Sequence, residues 1–331
     1  MSPWTEATPA VIIVNYKTGH LLAGSLAQLA LARRQVPGLR VVIVDNHSPD
    51  DSVALIRRAI AAQGCGDWVE LICHSSNAGF SAGNNVGIRH ALSHGAAAPT
   101  HFFILNPDAQ VRPGALEALL EFSAVRGERA LIGGLLVNEA DQPRSSAFRF
   151  HGPLTEFQRG AHLGLVDRLW PARRLALPPG QAPHRADWVS GAAFLVPRAI
   201  IEQVGLMDEG YFLYFEEVDY MRQVRRQGFE IWSLPAARVM HLAGAATGIV
   251  GGQAARGPIP DYWYQSWHRY FFKNHGALYG SLCALAWLSG RMIHSGLGLL
   301  RPARRRWDGH RASRFLRLAW LGQGATPGAP A

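Results

Sequence analysis

A regular alternation of short apolar runs with helical patterns constrains the fold of this chain most. The apolar runs AVIIVNY, RVVIVDN, WVELICH and HFFILNPD are separated by segments of helical periodicity that begin near residues 20, 50, 82 and 113. Strands that alternate with helices of this length form a mostly parallel sheet, because each parallel crossover needs a long connection such as a helix. We therefore predict an α/β fold with an open, mostly parallel sheet and helices on both faces.

Polar side chains follow these apolar runs at the point where each strand ends. The residues at the four ends are Asn15 and Tyr16, Asp45 and Asn46, Ser76 and Asn77, and Asn106, Pro107 and Asp108. The carboxyl ends of parallel strands lie at one edge of a sheet, and ligands of open α/β sheets bind in the crevice beyond them. These side chains are therefore predicted to converge on one ligand site.

Composition and charge exclude several classes of protein. A chain of 331 residues with 48% hydrophobic residues can bury a full core. The formal charge of +9 is concentrated in residues 291–331, which hold eight arginines and one acid, so the rest of the chain is nearly neutral and nucleic-acid binding is not expected. The cysteines form no CxxC pair, and the first residues read as a strand rather than a signal sequence, so we expect a cytoplasmic protein without disulfides.

Three acids follow an aromatic run in GYFLYFEEVDYMRQVRRQGF. Glu216, Glu217 and Asp219 are compatible with two interpretations. They can stabilise the first turn of a helix over residues 215–227 through its dipole, with Asp219 paired to Arg222. Alternatively, a carboxylate held against aromatic side chains has a raised pKa and can act as a base.

Two further acids end buried strands. Asp45 precedes NHSPDD, where Ser48 and Pro49 are predicted to begin a helix, and its own carboxylate is predicted to point into the crevice. Asp108 ends HFFILNPD, where it can cap a turn or provide an oxygen ligand for a divalent cation. His241 closes the strand ARVMH and can complete such a cation site or have a structural role.

The glycines of NAGFSAGNNVGIRHAL do not form a known phosphate-binding motif. Gly83 and Gly87 share one helix face and allow close packing on the sheet. Neither the GxGxxG fingerprint nor the GxxxxGK[ST] loop occurs in the sequence, which argues against nicotinamide chemistry and P-loop hydrolysis.

Seven motifs in order resemble the family 2 glycosyltransferases, and most of all their bacterial rhamnosyltransferase branch. The motifs are VIIVNY, VVIVDNHSPD, NAGFSAGNN, FFILNPDA, SGAAFLV, YFLYFEEVDY and ARVMHLAGAATG. The resemblance covers residues 10 to about 248 and implies a GT-A fold, inverting sugar transfer and a divalent ion, Mg²⁺ or Mn²⁺. We expect a GT-A domain over residues 1–250, divided into a nucleotide-sugar-binding half (1–137) and an acceptor and catalytic half (138–250). A helical, basic region over residues 251–331 follows.

The resemblance also implies roles for individual residues. Glu217 matches the catalytic base, and Asp108 and His241 match the metal ligands. The implied donor-binding residues are Asn15, Tyr16, Asp45, Asn46, Asn77, Gly79, Asn84 and Asp108. The residues assigned to the acceptor side are Ser190, Gly191, Tyr214, Glu216 and Asp219. The first acid of the family's DxD pattern is Asn106 here, which leaves Asp108 as the one carboxylate ligand of that motif.

The implied function is transfer of a sugar, with L-rhamnose from dTDP-L-rhamnose as the expected donor, to a saccharide linked to polyprenyl diphosphate. Two alternatives stay open. A sugar-phosphate nucleotidyltransferase would need a glycine-rich loop with lysine or arginine after the first strand, and VNYKTGHLL is a poor version of such a loop. A non-catalytic module that binds nucleotide sugars is the other.

The segments between the recognisable strands are harder to assign. Residues 138–185 are rich in proline, arginine and glycine and are predicted to be loops and irregular structure. Near the C-terminus, GALYGSLCALAWLSG gives about 15 residues before Arg291, too few to span a bilayer core that needs roughly 20.

The basic tail is predicted to hold the protein at the inner face of the cytoplasmic membrane. RPARRRWDGHRASRFLRLAWL can form a helix with Phe315, Leu316, Leu318, Ala319 and Trp320 on one side and arginines on the other. This pattern is typical of a helix that lies in the interface plane and binds anionic lipid. Alternatively, the apolar side packs on the catalytic domain and the arginines are solvated.

Overall fold

A mixed sheet of nine strands forms the centre of the part of the chain that the computed structural model describes, namely residues 6–161, 174–242, 249–250, 253–254, 258–300 and 310–323. The strands of this sheet are β1 (Pro9–Asn15), β2 (Arg40–Asp45), β3 (Val69–Cys73), β4 (His101–Leu105), β5 (Ala109–Val111), β6 (Ala130–Val137), β8 (His184–Arg185), β10 (Ala193–Pro197) and β11 (Glu230–His241). Two pairs of short strands lie outside it, β7 (Ala147–Phe148) with β9 (Trp188–Val189) and β12 (Ile249–Val250) with β13 (Gln253–Ala254).

The strand order, β3-β2-β1-β4-β10-β6-β11-β5, contains the reversal at which open sheets bind ligands. β1 pairs in parallel with β2 on one side and with β4 on the other, so the chain moves outward from β1 and then returns past it. β10 pairs antiparallel with both β4 and β6. The predicted open α/β sheet is therefore confirmed, and its crevice lies at the carboxyl ends of β1 and β4.

Helices cover both faces of the sheet, as predicted. They are α1 (Leu22–Gln35), α2 (Ser52–Ala62), α3 (Phe80–Leu92), α4 (Ala115–Val125), α5 (Pro153–Ala161), α6 (Arg198–Val204), α7 (Glu216–Arg226) and α8 (Asp261–Leu300). Successive side chains of a strand point to opposite faces. In β1, Ile12 accordingly packs in a buried cluster with α3, α7 and α8, while Val11 packs in a second cluster with α1, α2 and α4.

Two local sequence predictions are wrong. The described part of residues 138–185 is not irregular throughout, because it contains β7 and α5, whereas residues 162–173 lie outside the described residues. The helix after β2 begins at Ser52 rather than beside Ser48. The hydroxyl of Ser48 donates a hydrogen bond to the carboxylate of Asp45 at 2.7 Å, so it is not a helix cap.

The long helix α8 packs closely against α5 through two glycines. A Cβ atom on Gly160 would lie 2.1 Å from the carbonyl oxygen of Trp287, and one on Gly290 would lie 2.3 Å from the carbonyl oxygen of Phe157. No side chain fits at such distances, so glycine allows the two backbones to touch. Helix α8 is also kinked, at Gly276, where φ is 79°.

The terminal helix, made of Ala312–Arg314 and the π-helical segment Phe315–Trp320, packs on α8. Phe315 is fully buried, and its ring stacks on that of Trp287 with centroids 3.9 Å apart. Leu318 is buried as well. Phe315, Leu318 and Ala319 thus pack on the chain, as the alternative prediction states, whereas Leu316 is exposed. The basic run RPARRR lies outside the described residues.

A buried carboxylate joins α5 to α8. Glu156 is fully buried, and its Oε1 accepts hydrogen bonds from His151 Nδ1 and from Arg159, each at 2.9 Å. Its Oε2 accepts one from Trp267 Nε1 of α8 at 2.8 Å. Burial alone raises the pKa of Glu156, but the charge of Arg159 and the hydrogen bonds prevail and lower the pKa to about 2. Glu156 is therefore ionised at neutral pH.

Replacement of Glu156 by glutamine is expected to lower the free energy of unfolding by about 3 to 5 kcal/mol, the usual cost of removing one partner of a buried ion pair. The amide leaves the Arg159 charge without its counter-ion and turns an N–H group toward a hydrogen-bond donor. Urea unfolding at pH 7 measures the effect. The matched control is Glu202→Gln, which removes an exposed pair with Arg198 and should cost under about 1 kcal/mol.

The difference in stability between wild type and Glu156→Gln has a defined pH dependence. Because the folded-state pKa of Glu156 is lowered, its contribution to stability is fully present above the unfolded value of 4.5 and is lost as pH falls toward about 2. The difference between wild type and the glutamine variant should therefore shrink below pH 4.5. An equal cost for the Glu156 and Glu202 variants at pH 7 would contradict a stabilising role of the buried network.

Candidate active site

A cavity of about 310 Å³ opens at the carboxyl ends of β1 and β4, in the crevice predicted from the sequence. Its volume lies at the lower end of the range for small-molecule sites. The wall includes Tyr16, Asn46, Asn77, Gly79, Phe80, Asn106, Asp108, Ser190, Gly191, Phe212, Tyr214, Glu216, Glu217, His241 and Tyr262. These residues come from both sides of the reversal in strand order and from α8.

Two segments far apart in the sequence meet at Gly79 and form one side of this cavity. The backbone N–H of Phe80 donates to the carbonyl oxygen of Phe212 at 2.8 Å. A Cβ atom on Gly79 would lie 2.1 Å from the same oxygen, and the φ of Gly79 is 92°. Both the contact and the backbone conformation require glycine. This residue therefore allows the start of α3 to touch the aromatic run before α7.

The chain turns sharply before α7 through two left-handed residues. Tyr214 and Phe215 have φ values of 72° and 65°, which are uncommon for residues other than glycine. Burial of Phe215, whose ring lies 5.5 Å from that of Tyr270, offsets the strain. As a result, α7 begins at Glu216, and both Glu216 and Glu217 line the cavity.

Glu217 has the environment expected of a base. A Cβ atom on Gly191 would lie 3.5 Å from the Cβ of Glu217, so the small residue leaves room beside the carboxylate. Oε2 of Glu217 is buried and has no hydrogen-bond partner among the described residues. Burial raises the pKa of Glu217 to about 7. Burial, together with the charge of Glu217, also raises the pKa of Glu216. One carboxyl group of the pair can therefore exchange a proton near neutral pH.

Asp108 and His241 face each other from adjacent segments of the sheet. Asp108 directly precedes β5, and His241 is the last residue of β11, which pairs antiparallel with β5. His241 Nε2 lies 3.2 Å from Asp108 Oδ1 and 3.4 Å from the amide nitrogen of Asn106. The sequence therefore correctly placed Asp108 and His241 together, although they lie far apart along the chain.

This pair fits a divalent cation. Two ligand atoms bound to one ion at about 2.1 Å lie roughly 3 Å apart, close to the 3.2 Å between Asp108 Oδ1 and His241 Nε2. Asp108 is buried, and a carboxylate held away from water gains most from a neighbouring cation. Carboxylate oxygen is also a ligand that suits Mg²⁺ and Mn²⁺.

The predicted donor-binding residues fall into two groups. Those that line the cavity are Tyr16, Asn46, Asn77, Gly79 and Asp108. Those that do not line it are Asn15, Asp45 and Asn84. The second group is buried, and each member makes at least one hydrogen bond within the chain, so its members position the segments around the cavity.

The carboxylate of Asp45 is engaged within the chain rather than pointed into the crevice. It accepts hydrogen bonds from Asn15 Nδ2 at 2.7 Å and from both the backbone N–H and the hydroxyl of Ser48, at 2.9 and 2.7 Å. Asn84 donates to the carbonyl oxygen of Phe80 within the first turn of α3 at 2.9 Å. The prediction that Asp45 points into the crevice is therefore corrected, because its neighbours satisfy and cover it.

The predicted acceptor residues divide in the same way. Those that line the cavity are Ser190, Gly191, Tyr214 and Glu216. Asp219 is buried instead, and it accepts hydrogen bonds from Lys273 at 2.8 Å and Asn274 at 2.5 Å, both from α8. The acceptor role predicted for Asp219 is not supported by this placement, since its carboxylate joins α7 to α8.

Sequence reasoning does not identify Tyr262, a residue of α8 that lines the cavity. Its ring lies 5.2 Å from that of Phe212 and 6.2 Å from that of Tyr214. The aromatic run DYWYQSW is the available signal, because several rings in one helix must face some buried surface. The spacing alone does not indicate which ring turns toward the cavity, since that depends on how α8 packs.

Comparison with known proteins is consistent with this geometry. Residues 7–257 match the family model described as Glycosyltransferase like family 2. The chain is 30% identical over 257 residues to the N-acetylglucosaminyl-diphospho-decaprenol L-rhamnosyltransferase of Mycobacterium tuberculosis. The aligned region covers 74% of this chain and 78% of that protein. It is 23% identical over 207 residues to the dTDP-rhamnosyl transferase RfbF of Shigella flexneri, with 62% and 60% covered.

The fold is also similar to that of a solved glycosyltransferase. The crystal structure of GalNAc-T7 with UDP, GalNAc and Mn²⁺ matches with a TM-score of 0.54 and 15% identity. The match covers 94% of this chain but only 56% of that chain. At this level of identity the similarity concerns the fold alone, and it confirms the predicted GT-A architecture.

Proposed function

The chain belongs to glycosyltransferase family 2, and we propose that it transfers L-rhamnose from dTDP-L-rhamnose to a saccharide linked to polyprenyl diphosphate, with inversion at the anomeric carbon. Both relatives described above are named as rhamnosyl transferases. One name includes dTDP and the other a diphospho-decaprenol compound, and these names support the proposed donor and acceptor. The proposed reaction would serve the synthesis of a cell-surface polysaccharide.

One observation carries this proposal: Glu217 and the pair of Asp108 and His241 line the same cavity. Inverting transfer is an in-line displacement, which needs a base beside the acceptor hydroxyl and positive charge beside the departing diphosphate. Glu217 has the raised pKa of the first, and Asp108 with His241 has the ligand chemistry of the second.

The proposed step balances on these side chains. Glu217 takes the proton of the acceptor hydroxyl while the hydroxyl oxygen forms its bond to the anomeric carbon. The bond from that carbon to the phosphate oxygen of the donor breaks, and its electron pair stays on the diphosphate. A divalent ion, Mg²⁺ or Mn²⁺, held by Asp108 and His241 would stabilise the negative charge of this leaving group. Glu217 then returns its proton to solvent.

The aromatic side of the cavity suits a sugar ring. Tyr262 lies nearly parallel to Tyr214, with an interplanar angle of 17°, and Phe212 packs against Tyr262. Flat aromatic faces bind the C–H surfaces of sugars and exclude water. The same exclusion of water raises the pKa of Glu217. Substrate binding and activation of the base therefore depend on the same rings.

The two alternative functions fit the chain less well. A nucleotidyltransferase would need a phosphate-binding loop after β1, whereas the family match is to enzymes that transfer sugars. A module that only binds nucleotide sugars gains nothing from a carboxyl group whose pKa is raised at a cost in stability, such as that of Glu217. Detection of a glycosylated product distinguishes catalysis from binding directly.

Replacement of Glu217 by glutamine is expected to lower kcat by at least about 100-fold, because general bases contribute roughly 10² to 10⁴ in rate. Donor binding should persist, since the amide keeps the shape of the side chain. Transfer assays with saturating donor, together with isothermal titration of the nucleotide sugar, measure both effects. Glu216→Gln is the matched variant and should lose less activity. The reverse order, or more than about a tenth of wild-type turnover in the Glu217 variant, would contradict the assignment.

The pH dependence provides a second check on Glu217. A base must be deprotonated, so kcat/KM should rise with pH and level off above about 7. The contribution of Glu217 to the free energy of unfolding should instead fall as pH rises. A raised folded-state pKa means that the contribution of Glu217 to stability is present below its unfolded value of 4.5 and lost as pH rises through about 7. Glu217→Gln should therefore raise the melting temperature at pH 8 and not at pH 4.

Activity is expected to require a divalent ion and to disappear in EDTA. Asp108→Asn should raise the Mn²⁺ concentration for half-maximal activity at least tenfold, because it removes a charged ligand. A Mn²⁺ titration of turnover, with circular dichroism to verify folding, measures this shift. Asp141→Asn, an exposed acid paired with Arg238, is the control and should leave the titration unchanged. Full turnover in EDTA would instead assign leaving-group stabilisation to protein side chains.

Membrane contact is proposed for the outer face of α8. No helix in the described part of the chain combines the length and apolar character needed to cross a bilayer. Within residues 277–296, however, the exposed positions carry no charged side chain and include a helical stripe. The apolar residues of this stripe are Leu278, Leu282, Leu285, Met292 and Ile293. Exposure reaches 91% at Leu278 and 71% at Met292.

An anionic lipid surface fits this stripe better than a protein partner does, because basic residues adjoin the stripe in the sequence. The arginine run RPARRR follows α8 directly in the sequence, and each such residue adds about 1 kcal/mol of attraction near anionic lipid. An apolar helix face next to basic residues is the pattern of a helix that lies in the interface plane. This position would hold the enzyme at the inner face of the cytoplasmic membrane, beside a lipid-linked acceptor.

The double variant Leu278→Glu, Leu285→Glu is expected to bind anionic vesicles at least tenfold more weakly than wild type, because it places two charges in the lipid-facing stripe. Sedimentation with vesicles of phosphatidylglycerol and phosphatidylcholine measures binding, and high salt should weaken it in wild type. Leu31→Glu, Val125→Glu is the matched control, since both residues are exposed on other helices. Unchanged sedimentation, or a dimer in light scattering that the stripe variant converts to monomer, would reject lipid as the occupant.

A further inference from the structure

We propose that Glu70, His90 and His94 form a binding site for a zinc-class transition-metal ion, separate from the active site. Glu70 lies on β3, His90 in the last turn of α3 and His94 just beyond the end of that helix. Each side chain offers one ligand atom, and the three atoms lie within 4.8 Å of one another. Among the described residues, no other such group of three histidine, cysteine or acidic side chains occurs.

The geometry needs little change to accept a metal. His90 Nε2 lies 2.7 Å from Glu70 Oε2, and His94 Nε2 lies 4.0 Å from Glu70 Oε1. Ligand atoms around a tetrahedral zinc ion, bound at about 2.0 to 2.1 Å, are about 3.3 Å apart. The distance between His90 Nε2 and Glu70 Oε2 must therefore increase slightly, and that between His94 Nε2 and Glu70 Oε1 must decrease. Rotation of the exposed Glu70 side chain can change both distances.

The backbone provides a hydrogen bond that prepares His94 for metal binding. Nδ1 of His94 lies 3.1 Å from the carbonyl oxygen of Ala91, which can only accept, so Nδ1 carries the ring proton. The lone pair of His94 is then on Nε2, the atom that faces Glu70. In metal sites, a hydrogen bond from the second ring nitrogen fixes the tautomer in this way. A bound ion replaces the proton that His90 Nε2 donates to Glu70, and the ring of His90 then carries its proton on Nδ1.

Ligand chemistry and access determine the class of ion. Two imidazoles and one carboxylate suit Zn²⁺ and its neighbours in the transition series, whereas Mg²⁺ and Ca²⁺ prefer oxygen ligands alone. The side chains of Glu70, His90 and His94 are 41%, 35% and 32% exposed. A hydrated ion can therefore reach them, and water can occupy its remaining coordination position.

The position of this cluster separates it from catalysis. β3 is at one end of the strand order of the sheet, and β5, which follows Asp108, is at the other end. Along α3, His90 is ten residues beyond the cavity residue Phe80, or roughly 15 Å. A metal at Glu70 and the two histidines therefore joins the edge strand β3 to α3 and does not contact substrate. Its expected effect is on stability.

Zinc binding to tag-free, EDTA-treated protein tests the proposal without reference to sugar transfer. Isothermal titration with ZnCl₂ should show a site in wild type that His90→Ala, His94→Ala and Glu70→Gln each weaken at least tenfold, in addition to any binding at Asp108 and His241. Co²⁺ added instead of Zn²⁺ should produce visible d–d absorption that the same variants abolish. The rise in melting temperature on addition of Zn²⁺ should be smaller in these variants than in wild type.

Two controls make the result decisive. His20→Ala removes an exposed histidine outside the cluster and should bind Zn²⁺ as wild type does. Asp108→Asn should also retain the site, because it alters the opposite end of the sheet. Melting temperatures of all variants in EDTA establish that they fold. If a histidine variant does not fold, Glu70→Gln provides the test. Loss of binding in Asp108→Asn with retention in His94→Ala, or equal binding in all variants, would overturn the proposal.

Discussion

The active site depends on a single close contact, the approach of Gly79 to the carbonyl oxygen of Phe212. Gly79 directly precedes α3, and Phe212 belongs to the segment that leads into α7 and Glu217. Because a Cβ atom would lie 2.1 Å from that oxygen, any side chain at residue 79 must push the two segments apart. The hydrogen bond from the Phe80 N–H fixes their register. A backbone contact thus sets where Glu217 stands relative to the strand ends.

Placement of a carboxylate pair in this wall has a cost that the rest of the fold must offset. Glu216 and Glu217 have raised pKa values because water is excluded, so each opposes folding when ionised. Glu156, between α5 and α8, is the opposite case, because it is buried with Arg159 and Trp267 as hydrogen-bond partners and has a lowered pKa. The described part of the chain therefore contains carboxylates with raised pKa values in the cavity wall and a carboxylate with a lowered pKa where α5 meets α8.

The sequence predicted those features that follow from strand alternation and strand ends. Asp108 directly precedes β5 and His241 ends β11, so the antiparallel pairing of these two strands brings the residues together. Asp45 also ends a strand, yet Ser48 and Asn15 satisfy its carboxylate, because the loop after β2 folds back on it instead of starting a helix. Local patterns do not show such a loop path. Asp219 and the terminal helix differ from expectation for a related reason, since the partners of both belong to α8. The periodicity of a helix does not indicate which distant element it packs against.

Helix α8 connects the chemistry of the cavity to the surface of the molecule. Its first turn places Tyr262 in the cavity, while its inner face supplies Lys273 and Asn274 to Asp219 and packs α5 against the core. Its outer face after the kink at Gly276 bears the uncharged stripe. If that stripe lies on lipid, the helix that contacts the membrane also forms one wall of the cavity. Under the proposed membrane contact, an acceptor anchored in the bilayer would then extend along α8 to reach Glu217.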